Sequence, residues 1–180
     1  MAKKSKDPSD PIPTFIELHK EWIDESPRGV VLTAAAYLDD RLAEMIRAFF
    51  LENEGAEKLL SGFNAPLGTF SSRIAGASAL GLLTDKEFKQ LNLIREVRNE
   101  FAHKIIVKFT DSRVASLVTK FISVSFGFEW KPRPKKELED LMINFRAKVF
   151  ELIIEFMQRP AKVKRQRLIE FDWYKKNDED

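Results

Sequence analysis

Residues 84–105, TDKEFKQLNLIREVRNEFAHKI, constrain this chain more than any other stretch. Phe88, Leu91, Ile94, Val97, Phe101 and Ile105 recur every three or four residues, and Leu93 widens the set. A helix of about 3.6 residues per turn gathers them on one face, which must be buried against other elements. Thr84, with Glu87 three residues later, has the spacing of a capping box: each side chain satisfies an amide that the first helical turn leaves free. The opposite side carries Arg95, Asn99 and His103, four residues apart and so stacked along one line. Arg98 stands at the border of the apolar arc, where its stem can be buried while its guanidinium reaches out.

The same periodicity recurs elsewhere. Thr14–Ser26 reads as a short helix, with Thr14 and Glu17 as a second capping pair and Phe15, Leu18 and Trp22 as its stripe. Arg28–Asn53 reads as a long helix with Val31, Ala35, Leu38, Leu42, Met45 and Phe49 inward. Its Asp39, Asp40, Arg41 and Glu44 read as a solvated face laced with pairs three and four residues apart. Gly62, Pro66 and Gly68 punctuate a loop, after which Thr69 caps a short helix that closes at Gly81 in a left-handed cap. Asp111 caps a helix running to about Ile122, and the last strong helix spans about Lys135–Gln158, stopped by Pro160. Val107–Thr110 is short and β-like, and Ser123–Trp130, SVSFGFEW, alternates apolar and polar residues as an extended segment does. The expected fold is therefore all-α, a helical bundle of five or six helices with a small β-like excursion near residues 123–130. Residues 1–13 read as a flexible tail, 14–159 as one helical domain and 160–180 as a C-terminal tail.

Composition removes several function classes. The chain has no cysteine, which excludes disulfides, thiolate catalysis and cysteine-bound zinc. A net charge of +2 is too balanced to argue for nucleic acid or a membrane surface. No stretch reaches about 18 apolar residues, so no membrane span is expected, and the lysines near Met1 are followed by no apolar signal region. His19 has no companion at metal-ligand spacing. No metal and no cofactor is expected, and a cytoplasmic location is. KPRPKK at 131–136 is a stiff basic linker that could meet a phosphate. In the tail, basic residues at 162–167 precede Phe171, Trp173 and Tyr174. That pattern suits RNA, and it equally suits aromatics packed back on the core.

Two family resemblances follow from these residues. SGFNAPLGTFSSRIAGASALGLLTDKEFKQLNLIREVRNEFAH, at 61–103, resembles the mannitol operon repressor (MtlR) family in its APLG-like loop, its LGL-like turn and the charged end of the next helix. RGVVLTAAAYLDDRLAEMIRAFF, from Arg28, is similar to that family's first long helix, so the likeness spans about residues 28–105. It implies an all-helical regulator of transcription that works through protein contacts, since no helix-turn-helix with a recognition helix is visible. The second resemblance is to the HEPN superfamily, many of whose members carry an arginine and a histidine with four to six residues between them near a helix end. Arg98 and His103 in RNEFAH match it, with Asn99 as the polar residue after the arginine.

The HEPN likeness implies metal-independent RNA cleavage. His103, near its reference pKa of about 6.5, would move the proton of the 2′-hydroxyl or the leaving oxygen. Arg98 would stabilise the phosphate charge and Asn99 would orient either group. Five residues along a helix turn Arg98 and His103 apart by about 140°, so this chemistry requires a dimer or an unwound helix end. Two functions therefore stand side by side. One is a homodimeric regulator with a protein partner. The other is a ribonuclease with Arg98, Asn99 and His103 at a dimer cleft and RNA as substrate.

Overall fold

The computed structural model describes Lys20, Trp22, residues 25–166, and Leu168 and Ile169. Five helices of ten residues or more carry the described residues: α1 (Pro27–Phe49), α3 (Phe70–Ala79), α4 (Asp85–His103), α5 (Ser112–Phe126) and α6 (Glu137–Met157). Two short ones, α2 (Glu54–Leu60) and α7 (Arg159–Val163), and a 3₁₀ turn at Lys164–Gln166 complete them. Apart from Lys20, Trp22, Glu25 and Ser26, the helix expected at 14–26 lies outside the described residues, as do Phe171, Trp173 and Tyr174 of the tail; Ser26 is not helical but caps α1.

The all-α bundle stands, without its β-like excursion. Among the described residues there is no strand, and Ser123–Phe126 is the last turn of α5. The hydroxyls that made SVSF look alternating bond back to carbonyls four residues earlier, Ser123 to Thr119 at 2.8 Å and Ser125 to Phe121 at 2.7 Å. Each serine thus stays within the helix with its polar group satisfied. Val118, Phe121, Ile122 and Ser125 form the buried stripe at helical spacing. The helix ends at Gly127, whose φ of 79° is the left-handed cap that a residue with a Cβ resists.

Four helices make a ring: α1 packs on α4, α4 on α5, α5 on α6, and α6 back on α1. α3 lies across α1 and α4, while α7 and the 3₁₀ turn cover α1. Phe101, Phe109, Phe121, Phe145 and Phe156 lie fully inside. Edge-on ring contacts link them, Phe109 to Phe145 and Phe121 to Phe145 each at 5.5 Å between centroids. Trp22 is buried as well, donating to Thr33 Oγ1 at 2.8 Å and meeting Phe150 edge-on at 4.5 Å.

Caps account for the helix starts. The α4 box forms as the spacing predicts: Thr84 N–H donates to Glu87 Oε2 at 2.8 Å, and Glu87 N–H donates to Thr84 Oγ1 at 3.3 Å. Thr69 makes a second box with Ser72 at the head of α3, and that helix closes at Gly81, φ 71°. Pro160 does not stop a helix. α6 ends at Met157, and Pro160 sits in the first turn of α7, where its missing N–H costs nothing.

The end of α4 departs from the expected register. Lys104 is extended (φ −104°, ψ 133°), and Arg28 donates from Nη2 to the carbonyls of Lys104 at 2.6 Å and Ile105 at 2.8 Å. The helix therefore stops before Ile105, which is not part of the buried arc. It is 95 % exposed, and Ile106 beside it 82 %.

Candidate functional site

α4 presents polar and apolar groups on two sides, and the residues singled out in the sequence divide between them. Arg95, Arg98 and Asn99 line one cavity of about 400 Å³ together with Asp39 and the first residues of α3. Arg98 donates from Nη1 to Asn99 Oδ1 at 3.2 Å. His103 does not line this cavity. It lies exposed in the last turn of α4. Of the stacked line Arg95–Asn99–His103, the fold thus brings the first two together and leaves the third at the open end.

The carboxylates of α1 make no ion pair with Arg98 among the described residues. Glu44 pairs with Arg41 at 2.6 Å, three residues apart as the charge pattern suggests. Asp40 makes no ion pair among the described residues. Asp39 pairs across to Arg73 of α3 at 2.9 Å. Burial pushes the Asp39 carboxyl above its ordinary value, with the Arg73 guanidinium pulling the other way.

On the other side, α4 and α5 flank an open groove of about 860 Å³. Its wall is apolar: Phe88 and Leu93 from α4, Val124 from α5, and Trp130 beyond the end of α5. Phe88 belongs to the periodic arc and still leaves 36 % of its surface uncovered. Trp130 is held in place by its own amide, which donates to Ser123 Oγ at 3.0 Å. Lys89 on one side and Lys120 on the other have no ion pair among the described residues, whereas Lys131 is matched by Glu129 at 2.9 Å. The basic linker is mostly neutralised: Arg133 binds Asp140 and Lys136 binds Glu139 at 3.2 Å.

Three contacts had no separate signal in the sequence. Glu87, read as a cap, is also buried against Arg159, whose Nη2 lies 2.5 Å from Oε1. Gln90 reaches across to α5 and donates to Ser125 Oγ at 3.0 Å in the interior. Trp130 was passed over because the segment before it read as extended. A lone tryptophan followed by a proline-broken basic run was the available clue.

Among the described residues no group of histidine, aspartate or glutamate is placed to hold a metal ion, and no helix is long and apolar enough to cross a membrane.

No family model and no curated protein matches the chain. Among solved structures, the chain is similar to one determined as the MtlR–HPr complex from Escherichia coli, with a TM-score of 0.50 and 18 % identity over 84 % of this chain and 99 % of that one. At that identity the likeness is one of fold.

Proposed function

We propose that this chain is a helical regulatory protein that acts by docking another protein. The observation that carries this reading is the α4–α5 groove: an apolar wall of Phe88, Leu93, Val124 and Trp130 between two unpaired lysines. Exposed apolar surface gathered in one concavity marks an interaction site more than scattered apolar residues do. A tryptophan at such a surface supplies area and rigidity together. The unpaired Lys89 and Lys120 select the occupant by charge, so the segment that fits is amphipathic, with apolar anchors flanked by aspartate or glutamate. The solved relative was captured with a protein, HPr, which agrees with regulation by protein contact. Regulation of transcription, as the MtlR resemblance implies, would then pass through that partner.

The ribonuclease reading asks Arg98 and His103 to converge on one phosphate. Within one chain Arg98 faces the cavity it shares with Asp39 and Arg95, and His103 stands outside it. A second copy supplying the missing histidine is what that reading requires, so the docking reading is preferred.

One experiment separates the two. A photo-crosslinking residue at Val124 is introduced in cells, alone and with Lys89→Glu and Lys120→Glu. The expected result is a discrete adduct through an acidic, apolar segment of one protein, lost on charge reversal. An adduct unaffected by charge reversal overturns the docking reading. So does RNA cleavage in EDTA by the wild type that His103→Ala abolishes.

A further inference from the structure

The cavity on the far side of α4 is independent of the groove, and its chemistry differs. Arg95 and Arg98 both line it, and neither has a carboxylate within ion-pair distance among the described residues. The Nε of Arg95 is buried and makes no hydrogen bond. A buried guanidinium nitrogen without a partner is costly, and Arg41 and Arg146 carry the same feature outside this cavity, so it is the pairing of Arg95 with Arg98 on one wall that sets this site apart. Asp39 brings one negative charge to the cavity, but Arg73 lies against it at 2.9 Å. Arg98 still acts on Asp39 through space, but among the described residues neither arginine has a carboxylate of its own in an ion pair. Asn99 adds an amide to the same wall, bound so far only to Arg98.

α3 opens onto this cavity as well. Thr69, Phe70 and Ser71 line it, at the start of a ten-residue helix. Thr69 and Ser72 are occupied with one another in the capping box, which leaves the amides of Phe70 and Ser71 as free donors beside the guanidinium groups.

We infer that this cavity binds a phosphate monoester, with Arg95, Arg98 and Asn99 holding the phosphoryl oxygens and the amides at the head of α3 completing the cradle. Two guanidinium groups match the forked geometry of phosphate oxygens better than they match a single carboxylate. A dianion gains most from two cations and a helix start in a partly water-excluded site. At about 400 Å³ the cavity has room for a small organic body beyond the phosphoryl group, at the lower end of the range for ligand pockets. Phe70 offers that body an apolar wall.

The test is calorimetric titration of the full chain with inorganic phosphate, phenyl phosphate and, as the carboxylate control, benzoate. Saturable binding is expected for both phosphates, tighter for phenyl phosphate, and none for benzoate. Arg98→Ala and Arg95→Gln should each weaken phenyl phosphate by roughly tenfold or more. Arg98 is exposed, so its variant keeps the test sound if Arg95→Gln folds poorly. Lys89→Glu and Lys120→Glu should leave phosphate binding unchanged, so failure here is distinct from failure of the docking reading. The inference is overturned by the absence of saturable binding to either phosphate, by equal binding of benzoate, or by folded arginine variants that bind as the wild type does.

Discussion

Replacing Glu87 with alanine removes two things at once. Its carboxylate accepts from the amide of Thr84 at 2.8 Å and the hydroxyl of Thr84 at 2.9 Å, and it receives Arg159 Nη2 at 2.5 Å. Loss of half a capping box costs about 1 kcal/mol. Breaking a buried ion pair costs about 3–5 kcal/mol when the surviving charge is trapped. Arg159 is not trapped: its side chain is 24 % exposed, against 6 % for Glu87, and it keeps a bond to the Leu82 carbonyl at 3.3 Å. The pair therefore contributes less than that, about 1–3 kcal/mol, and Glu87→Ala should destabilise by about 2–4 kcal/mol in total. Urea unfolding with a double-mutant cycle through Arg159→Ala isolates the pair, with an expected coupling of about 1–3 kcal/mol. The pH dependence has a fixed sign. Burial raises the Glu87 pKa, but the bonds from Arg159 and Thr84 outweigh it, and the net shift is downward. Stability from this group is therefore complete above the unfolded-state value and is lost as pH falls through the folded one. Glu87→Gln should flatten that part of the profile. Coupling near zero, or an unchanged acid limb in Glu87→Gln, would refute the assignment.

Two further predictions rest on contacts at the other end of the bundle. Phe145 is wholly buried between Phe109 and Phe121, so Phe145→Ala should cost about 3–5 kcal/mol in urea unfolding, and Phe145→Leu clearly less. Asp140 accepts from the Arg133 side chain and, at 2.8 Å, from the Arg133 amide, which together bring its pKa from 3.8 down to about 2. Its contribution is present above the unfolded value and disappears between about pH 4 and pH 2, so thermal melts of Asp140→Asn should lose less stability across that window than the wild type does.

What the sequence revealed, and what it hid, follows from the range of each interaction. The α4 capping box and the Thr69 cap were readable because their partners lie three residues apart. The apolar faces were readable because burial against any partner imposes the same period. Ser123–Phe126 was misread because a two-residue alternation over four residues fits either periodicity. The deciding facts were hydroxyls returning to Thr119 and Phe121 and a stripe continuing from Val118. Ile105 was misplaced because the periodic pattern carries no information about where the backbone turns out. Arg28, at the far end of α1, decides that by holding the carbonyls of Lys104 and Ile105. The same limit governs the candidate site. Arg95 and Asn99 were visible as one polar line on α4, but the cavity they share exists only because α3 and Asp39 of α1 close over it.

α4 then explains how one helix serves two surfaces without confusing them. Leu93 and Arg95 are two residues apart, a rise of about 3 Å along the axis, yet they point about 160° apart around it. Leu93 therefore enters the groove shared with α5, and Arg95 the cavity shared with α1 and α3. Between those two sides Leu91, Ile94, Val97 and Phe101 are buried, so the helix is seated along its length by the core. Its first turn is fixed by the Thr84–Glu87 box and by Arg159 of α7, and the segment after its last turn by Arg28 of α1. A ligand at one side gains coupling to the other only by displacing a helix held at both ends and along its core. Packed cores resist such graded displacement. The two surfaces are thus expected to act separately, the groove choosing a partner by apolar fit and charge, and the cavity taking an anion by its two arginines that have no ion pair among the described residues.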